Sequence, residues 1–147
     1  TATGVRVSEL VSFQIEDVIN GYKDIYSKGN KMRRVYIPTA LQEDTFQWLE
    51  AECRKKGPLF LSHLKRGISV SGIRSQLKTF AYRYHLDPKV VYPHSFRHRF
   101  AKNFIENGGD IAFLSNLLGH TSIETTRIYL RRSSTEQSLI VNQIVDW

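Results

Sequence analysis

The residues with the clearest chemical potential lie between positions 93 and 129. His94 and Arg97 are one helical turn apart at a predicted helix start, His120 follows a glycine, and Tyr129 comes nine residues later. Arginine holds an anionic oxygen with paired donors and keeps its charge. If these side chains converge, they form a site for an anionic oxygen with a hydroxyl nucleophile beside it.

Such a site fits phosphoryl transfer, in which catalysis consists mainly of placing cationic donors where negative charge accumulates. A tyrosine hydroxyl, with an ordinary pKa of about 10, needs neighbours that take its proton or stabilise its anion. A histidine can take that proton, and a lysine can protonate a leaving alkoxide. The chain has no carboxylate cluster, Gly-rich phosphate loop or Cys/His ligand set, so we predict neither a metal ion nor a cofactor. His98 has metal-ligand spacing from His94, but without a third ligand we interpret it as a packed or supporting histidine.

The composition indicates one globular domain with a polyanionic partner. The chain has 147 residues, of which 41% are apolar, enough for one core. Its net charge is +7, its isoelectric point is near 9.7, and Lys and Arg occur along the whole chain. Nucleic acid is the simplest partner for such a domain, although many soluble proteins are equally basic. The single cysteine, Cys53, excludes a disulfide framework, and no apolar run approaches the ~18 residues of a membrane span.

The first half of the chain predicts a hairpin and helices. Alternating apolar and polar residues at 22–26 and 34–37, separated by a Gly/Asn turn, predict an antiparallel sheet of two or three strands with a basic tip. A short helix capped by Thr1 or Thr3 precedes it. Helices are also expected from Thr39 to Gly57 and over about 71–85.

Three further helices are predicted from Pro93, which suits a first helical turn. Asp110 caps the second, Gly119 closes it, and a capping box at 121–124 opens the third, which carries Tyr129. A short tail helix is expected after Ser134. The predicted fold class is mainly α with a small antiparallel β-sheet, an α+β domain. Its apolar and aromatic side chains are expected to pack, including Trp48, Phe80, Phe113 and the tyrosines at 22, 26, 36, 82, 84 and 92.

Five segments carry a resemblance to a known family: ATGVRVSEL, SKGNKMR, HSFRHRFA, LLGH and TSIETTRIY. In this order and at this spacing, they resemble the motifs of the catalytic domain of tyrosine recombinases, the phage integrase family. The resemblance extends from residue 3 to about 129, which is almost the whole chain. A lone HxxR would be weak evidence, whereas five ordered motifs are specific.

The resemblance implies roles for the residues of the phosphate site. Arg6 and Arg97 would grip the scissile phosphate, and His94 would act as an acid/base group. His120 would hydrogen-bond the phosphate. Tyr129 would be the nucleophile, and a 3′-phosphotyrosyl intermediate would form as a 5′-hydroxyl leaves. Attack by the 5′-hydroxyl of a partner strand would reverse the step, so the bond energy is conserved without ATP or a metal ion.

The resemblance also implies a general acid on the hairpin and a DNA partner. The lysine that protonates the leaving 5′ oxygen aligns with Lys28, with Lys31 as the alternative because hairpin registers shift easily. The expected DNA contacts are Arg6, Lys28, Lys31 and Arg97. The family acts on double-stranded DNA as a homo-tetramer through a Holliday junction, and the tail helix is a candidate contact between protomers. The expected location is the cytoplasm of a bacterial or phage-host cell, at the nucleoid.

Residues 1–147 are therefore expected to form one catalytic domain, the C-terminal portion of a longer recombinase without its core-binding domain. The expected function is integration or excision of a mobile element. The alternatives are a Xer-type recombinase that resolves chromosomes or plasmids, and a DNA-binding module without catalysis. A type IB topoisomerase would use related chemistry but would relax supercoils without paired sites.

Overall fold

The computed structural model describes residues 2–27, 31–120, 122–130 and 142. Within these residues, seven helices and two strands follow in the order α1 Val7–Leu10, α2 Ile15–Asn20, β1 Tyr22–Ser27, β2 Lys31–Tyr36, α3 Thr39–Ala51, α4 Val70–Arg83, α5 Pro93–Glu106, α6 Ile111–Leu118 and α7 Glu124–Arg127. A 3-10 turn, Ile128–Leu130, continues α7. A mainly helical fold with a small antiparallel sheet confirms the predicted fold class.

The predicted hairpin is formed by β1 and β2. The strands pair antiparallel from Tyr22 opposite Tyr36 to Ser27 opposite Lys31, and the described sheet has two strands, not three. Gly21 turns the chain from α2 into β1 with a φ of 76°, a left-handed conformation that glycine adopts without strain. The tip of the hairpin, residues 28–30, lies outside the described residues.

The first of two core clusters packs the hairpin against α2 and α3. Its buried residues are Phe13, Ile15, Val18, Val35, Ile37, Leu49 and Leu59. Side chains alternate across a strand, so Val35 is buried while Arg34 and Tyr36 are exposed. Arg33, two residues before Val35, lies on the inner face, and its side chain is only 12% exposed.

The second core cluster packs α5 against α6 through Ala101, Ile105, Leu114 and Leu118. Pro93 begins α5 as predicted, and the Asp110 carboxylate caps α6 by accepting a hydrogen bond from the Phe113 N–H at 2.7 Å. Gly119 ends α6 in the left-handed conformation, with a φ of 62°. This helix pair sets the relative positions of the first turn of α5 and the last turn of α6.

Several predicted details of the helices are wrong. Arg6 is the N-cap of α1, and Glu9 caps it in return, so no threonine cap begins this helix. Ser69 caps α4, which therefore starts one residue earlier and ends two residues earlier than predicted. Of the predicted tail helix only Asn142 is described, in helical conformation, and Thr121 of the predicted capping box lies outside the described residues. None of the described helices is long and apolar enough to cross a membrane.

Many aromatic side chains that were expected to pack are exposed instead. They are Tyr26, Tyr36, Trp48, Phe80, Tyr82, Tyr84, Tyr92 and Phe113. The reason is the small number of layers among the described elements. The main neighbour of α4 is the four-residue helix α1. A periodic pattern marks which positions could be buried, but only a neighbouring element buries them.

Candidate active site

Four separate parts of the chain bring the predicted residues into one region. Arg6 immediately precedes α1, and His94 and Arg97 lie in the first turns of α5. His120 follows α6, and Tyr129 lies in the 3-10 turn that packs against α5. The two hairpin lysines cannot be placed in the same way. Lys28 lies outside the described residues, and Lys31 is described only through its backbone at the start of β2.

Arg97 lies buried at the base of the site. It is 4% exposed, and its Nη1 donates to the Gly4 carbonyl at 2.8 Å while its Nη2 donates to the Leu118 carbonyl at 2.6 Å. Burial, and then the nearby Arg6, lowers the pKa of Arg97 to about 10, so its guanidinium stays charged at neutral pH. The two carbonyls replace the water that this buried cation gives up.

Arg6 reaches the same helix end from the other side of the site. Its Nη2 donates to the Gly119 carbonyl at 3.2 Å, and its side chain remains 44% exposed. The last carbonyls of a helix have no partner within the helix and carry partial negative charge. The C-terminal end of α6 therefore accepts hydrogen bonds from both predicted phosphate-binding arginines, Arg97 at Leu118 and Arg6 at Gly119.

Glu9 and Arg33 belong to this cluster, although the sequence analysis did not select them. Glu9 pairs with Arg6 at 3.1 Å and with Arg33 Nη2 at 2.7 Å. A Cβ atom at Gly119 would clash with Arg33, so only glycine fits between Arg33 and the end of α6. The spacing of Glu9 three residues after Arg6 was a usable signal for a capping pair. Arg33 ends the SKGNKMR segment and shares a strand face with Val35, but the sequence does not show that this face meets α1 and α6.

His120 is held by the segment that carries Tyr129. Its Nδ1 lies 2.8 Å from Oγ1 of Thr126, a fully buried residue of α7, and its backbone N–H donates to the Ser115 carbonyl at 3.0 Å. Burial, followed by the charge of Arg97, lowers the pKa of His120 to about 4. The imidazole is therefore neutral at pH 7. With Nδ1 engaged by Thr126, Nε2 is the ring nitrogen left for a substrate.

Three aromatic rings connect the start of α5 to Tyr129. The rings of His94 and His98 meet edge to face with centroids 4.3 Å apart, and those of His98 and Tyr129 are 5.3 Å apart. Burial, and then His98, lowers the pKa of His94. Burial raises the pKa of Tyr129, whereas Arg97 acts in the opposite direction. Tyr129 is thus protonated at neutral pH and needs a proton acceptor before it can attack. The His98 ring packs between the rings of His94 and Tyr129. Among the described residues, no group of three His, Cys, Asp or Glu side chains could hold a metal ion.

Four of the predicted residues line two neighbouring hollows. Arg6, His94 and Arg97 line a cavity of about 540 Å³, together with Arg74 and Lys78 of α4. Tyr129 instead lines a hollow of about 390 Å³ beside His98, Arg99 and Lys102. Three of the residues predicted to bind the phosphate or to act as an acid/base group thus share one cavity. Tyr129 lines the other hollow, and His120 lines neither. Arg74 and Lys78 were missed because a basic residue on an exposed helix face gives no signal in the sequence.

We expect the imidazole of His120 to stay neutral from pH 8 down to about 5 in the DNA-free protein. Its folded-state pKa of about 4 lies below the ordinary 6.5. The stability that this neutral ring contributes is therefore complete above pH 6.5 and is lost as the pH falls towards 4. NMR titration of the imidazole nitrogens tests this, with the His120→Asn spectrum identifying the signal. A midpoint near 6.5 would show that the ring is not held beside the arginines.

The motifs and this geometry agree with comparisons to known proteins. Residues 1–136 match the phage integrase family. The tyrosine recombinase XerD of Staphylococcus haemolyticus is 35% identical over 150 residues, covering 97% of this chain and 50% of that protein. The XerD of Halalkalibacterium halodurans is 34% identical over 142 residues, covering 91% of this chain and 47% of its own. The chain thus spans about half the length of these relatives.

Solved structures show the same fold. The crystal structure of XerA recombinase has a TM-score of 0.80 and 29% identity, covering 99% of this chain and 54% of that one. The catalytic domain of bacteriophage HP1 integrase has a TM-score of 0.64 and 27% identity, and the match covers 97% of this chain and 77% of that one. The Tn1549 transposon integrase, solved in complex with transposon right end DNA, has a TM-score of 0.75 at 16% identity. The match covers 97% of this chain and 56% of that one. The chain therefore belongs to the phage integrase family, the tyrosine recombinases that its five motifs resemble.

Proposed function

We propose that this chain is the catalytic domain of a site-specific recombinase that cleaves and rejoins DNA through a 3′-phosphotyrosyl intermediate on Tyr129. The observation that carries the proposal is the convergence of Arg6 and Arg97 on the end of α6, beside a neutral His120 and next to Tyr129. These donors occupy fixed positions before any substrate arrives, which is the arrangement that stabilises a phosphoryl transition state.

The chemistry follows from these positions. Arg6 and Arg97 hold the non-bridging oxygens of the scissile phosphate, and His120 donates to the same group through Nε2–H. A Tyr129 oxygen–phosphorus bond forms as the bond from phosphorus to the 5′ oxygen breaks. His94, neutral at pH 7 because its pKa is lowered, takes the tyrosine proton. In this proposal the hairpin lysine protonates the leaving 5′ oxygen, and Lys28 holds that position by motif, with Lys31 as the alternative.

Double-stranded DNA is the proposed partner. The net charge of +7 suits a polyanion, and solved relatives with this fold include the Tn1549 integrase and XerH, whose structures contain transposon DNA and difH substrate. We extend the proposal to a homo-tetramer on paired sites in the cytoplasm, with the tail of the chain as a contact between protomers. The catalytic unit proposed is residues 1–147, with Arg6, Lys28, Lys31 and Arg97 contacting DNA.

Covalent trapping tests the nucleophile and the phosphate clamp. On a nicked suicide DNA substrate with EDTA, we expect a covalent protein–DNA band that is absent in Tyr129→Phe and about 100-fold weaker in Arg97→Ala, since a missing donor costs that much. Tyr84→Phe is the matched control, because Tyr84 is 64% exposed and lies outside both hollows. A protein that binds its site without forming the band would instead be a DNA-binding module.

Arg74 and Lys78 are expected to hold phosphates next to the scissile one, since they line the same cavity as Arg6 and Arg97. Replacing both with Ala should weaken DNA binding for all sequences and reduce the slope of log affinity against log salt by about 2, close to one unit per lost phosphate contact. The control is Lys55→Ala with Lys56→Ala, which removes the same charge at an exposed site outside the cavity. An equal loss of slope in both variants would assign the effect to net charge alone.

We propose integration or excision of a mobile element as the biological role, with Xer-type resolution as the alternative. Relatives of both kinds are similar to the chain: XerD at 35% identity and the HP1 integrase at 27%. Sequencing the DNA recovered in covalent complexes from host cells separates the roles. We expect the sequences to map to the two ends of an excisable element. Mapping to one chromosomal site, also present in strains that lack any element, would support the resolution role.

A further inference from the structure

Arg33 is the last residue of the SKGNKMR segment, but the proposed chemistry gives it no role. It lies on the inner face of β2, and its side chain is 12% exposed. Its Nη2 donates to the Glu9 carboxylate at 2.7 Å, and its Nε and Cδ lie where a side chain at Gly119 would begin. Arg33 therefore connects the hairpin with the start of α1 and the end of α6.

The Glu9 carboxylate links Arg33 to Arg6. Its Oε2 accepts from the Arg6 backbone N–H and from Arg33 Nη2, both at 2.7 Å, and its Oε1 accepts from Arg6 Nη1 at 3.1 Å. Arg6 itself has no other described side-chain partner, because its remaining hydrogen bond goes to the Gly119 carbonyl. Glu9 and the Gly119 carbonyl together thus orient the half-exposed Arg6 guanidinium, and Glu9 is held in turn by Arg33.

The environment of Arg33 is unfavourable for folding. Its Nη1 is buried and has no hydrogen-bond partner among the described residues, whereas buried polar groups usually have one. Burial lowers the pKa of Arg33, and the positive charge of Arg33 in turn lowers the pKa values of Arg97 and His120. Arg33 adds positive charge to a site that already holds two arginines, and it leaves one donor without a partner among the described residues. The stability of the fold does not explain such a residue, since replacing both members of a buried ion pair with apolar groups is often neutral or stabilising.

We propose that Arg33 is a positioning residue for strand cleavage, holding Glu9 so that the Arg6 guanidinium faces the scissile phosphate. This inference rests on the proposed function. In it, Arg33 does not touch the phosphate. It acts through the Glu9 carboxylate, and its removal lets Glu9 and Arg6 turn away from the geometry that cleavage requires.

The test compares Arg33→Met with Arg34→Met in the full-length protein. Arg34 is the next residue of the same strand and also has a carboxylate partner, Asp24 at 2.8 Å, but it is exposed and faces away from the site. Both variants lose one positive charge and one ion pair. For Arg33→Met we expect a cleavage rate constant about 30-fold lower on saturating suicide DNA, because misplaced catalytic groups cost of this order. Its DNA dissociation constant should remain within about threefold of wild type. Removing one partner of a mostly buried ion pair destabilises the fold, so cleavage is compared at a temperature well below the thermal midpoint of every variant.

Three further results decide the inference. Arg34→Met should cleave within about twofold of wild type. Arg33→Lys should recover most of the rate, because an ammonium can also donate the one charge-assisted hydrogen bond that Arg33 makes to Glu9. In a Glu9→Gln background, Arg33→Met should lower the cleavage rate constant by less than about threefold, because the effects of substituting two residues that act through one contact are not additive. Equal cleavage by the Arg33→Met and Arg34→Met variants, or multiplicative losses with Glu9→Gln, would overturn the inference. If wild type forms no covalent band, the proposed function fails first, and the inference fails with it.

Discussion

The buried guanidinium of Arg97 is the interaction on which the rest of the site depends. Removing a cation from water is costly, and two backbone carbonyls offset that cost here, one from Gly4 and one from Leu118. Because these carbonyls come from the N-terminal segment and from the end of α6, the bonds tie three distant parts of the chain together. The same helix end also positions Arg6, whose guanidinium donates to the Gly119 carbonyl, and His120, whose backbone N–H donates to the Ser115 carbonyl.

The site concentrates positive charge in a small volume. Arg6, Arg33 and Arg97 lie close enough to affect one another, and Glu9 is the only described carboxylate that pairs with any of them. Burial and this excess of positive charge keep His120 neutral, so the ring offers a hydrogen bond without adding repulsion. Such crowding opposes folding and favours a bound phosphate, the compromise between stability and activity that active sites commonly show.

Tyr129, the proposed nucleophile, is positioned by the same contacts. Tyr129 follows α7, a helix of four residues, and a helix this short is held by packing rather than by its own propensity. The contact between His120 and Thr126 holds this segment three residues before the tyrosine, and the ring of His98 packs against the ring of Tyr129 itself. The residue proposed to bind the phosphate therefore also positions the segment that carries the nucleophile.

The sequence by itself determined the local elements and the identity of the main chemical groups. The hairpin, Pro93 at the start of α5, the Asp110 cap and the Gly119 stop depend on neighbouring residues, so they could be predicted from local patterns. The five ordered motifs likewise selected Arg6, His94, Arg97, His120 and Tyr129, which the structure places in one region. The roles of these residues stay predictions until the trapping experiment is done.

Only the tertiary structure decided which basic residues share the site and which aromatic residues are buried. Arg33 and Arg34 are adjacent and chemically identical, but strand alternation and the approach of Glu9 bury one, while the other faces solvent. Arg74 and Lys78 face the cavity because α4 packs beside α1, and the same thin packing leaves Tyr82 and Tyr84 exposed. Burial and electrostatic environment arise from elements that are distant in sequence, so no local pattern could specify them.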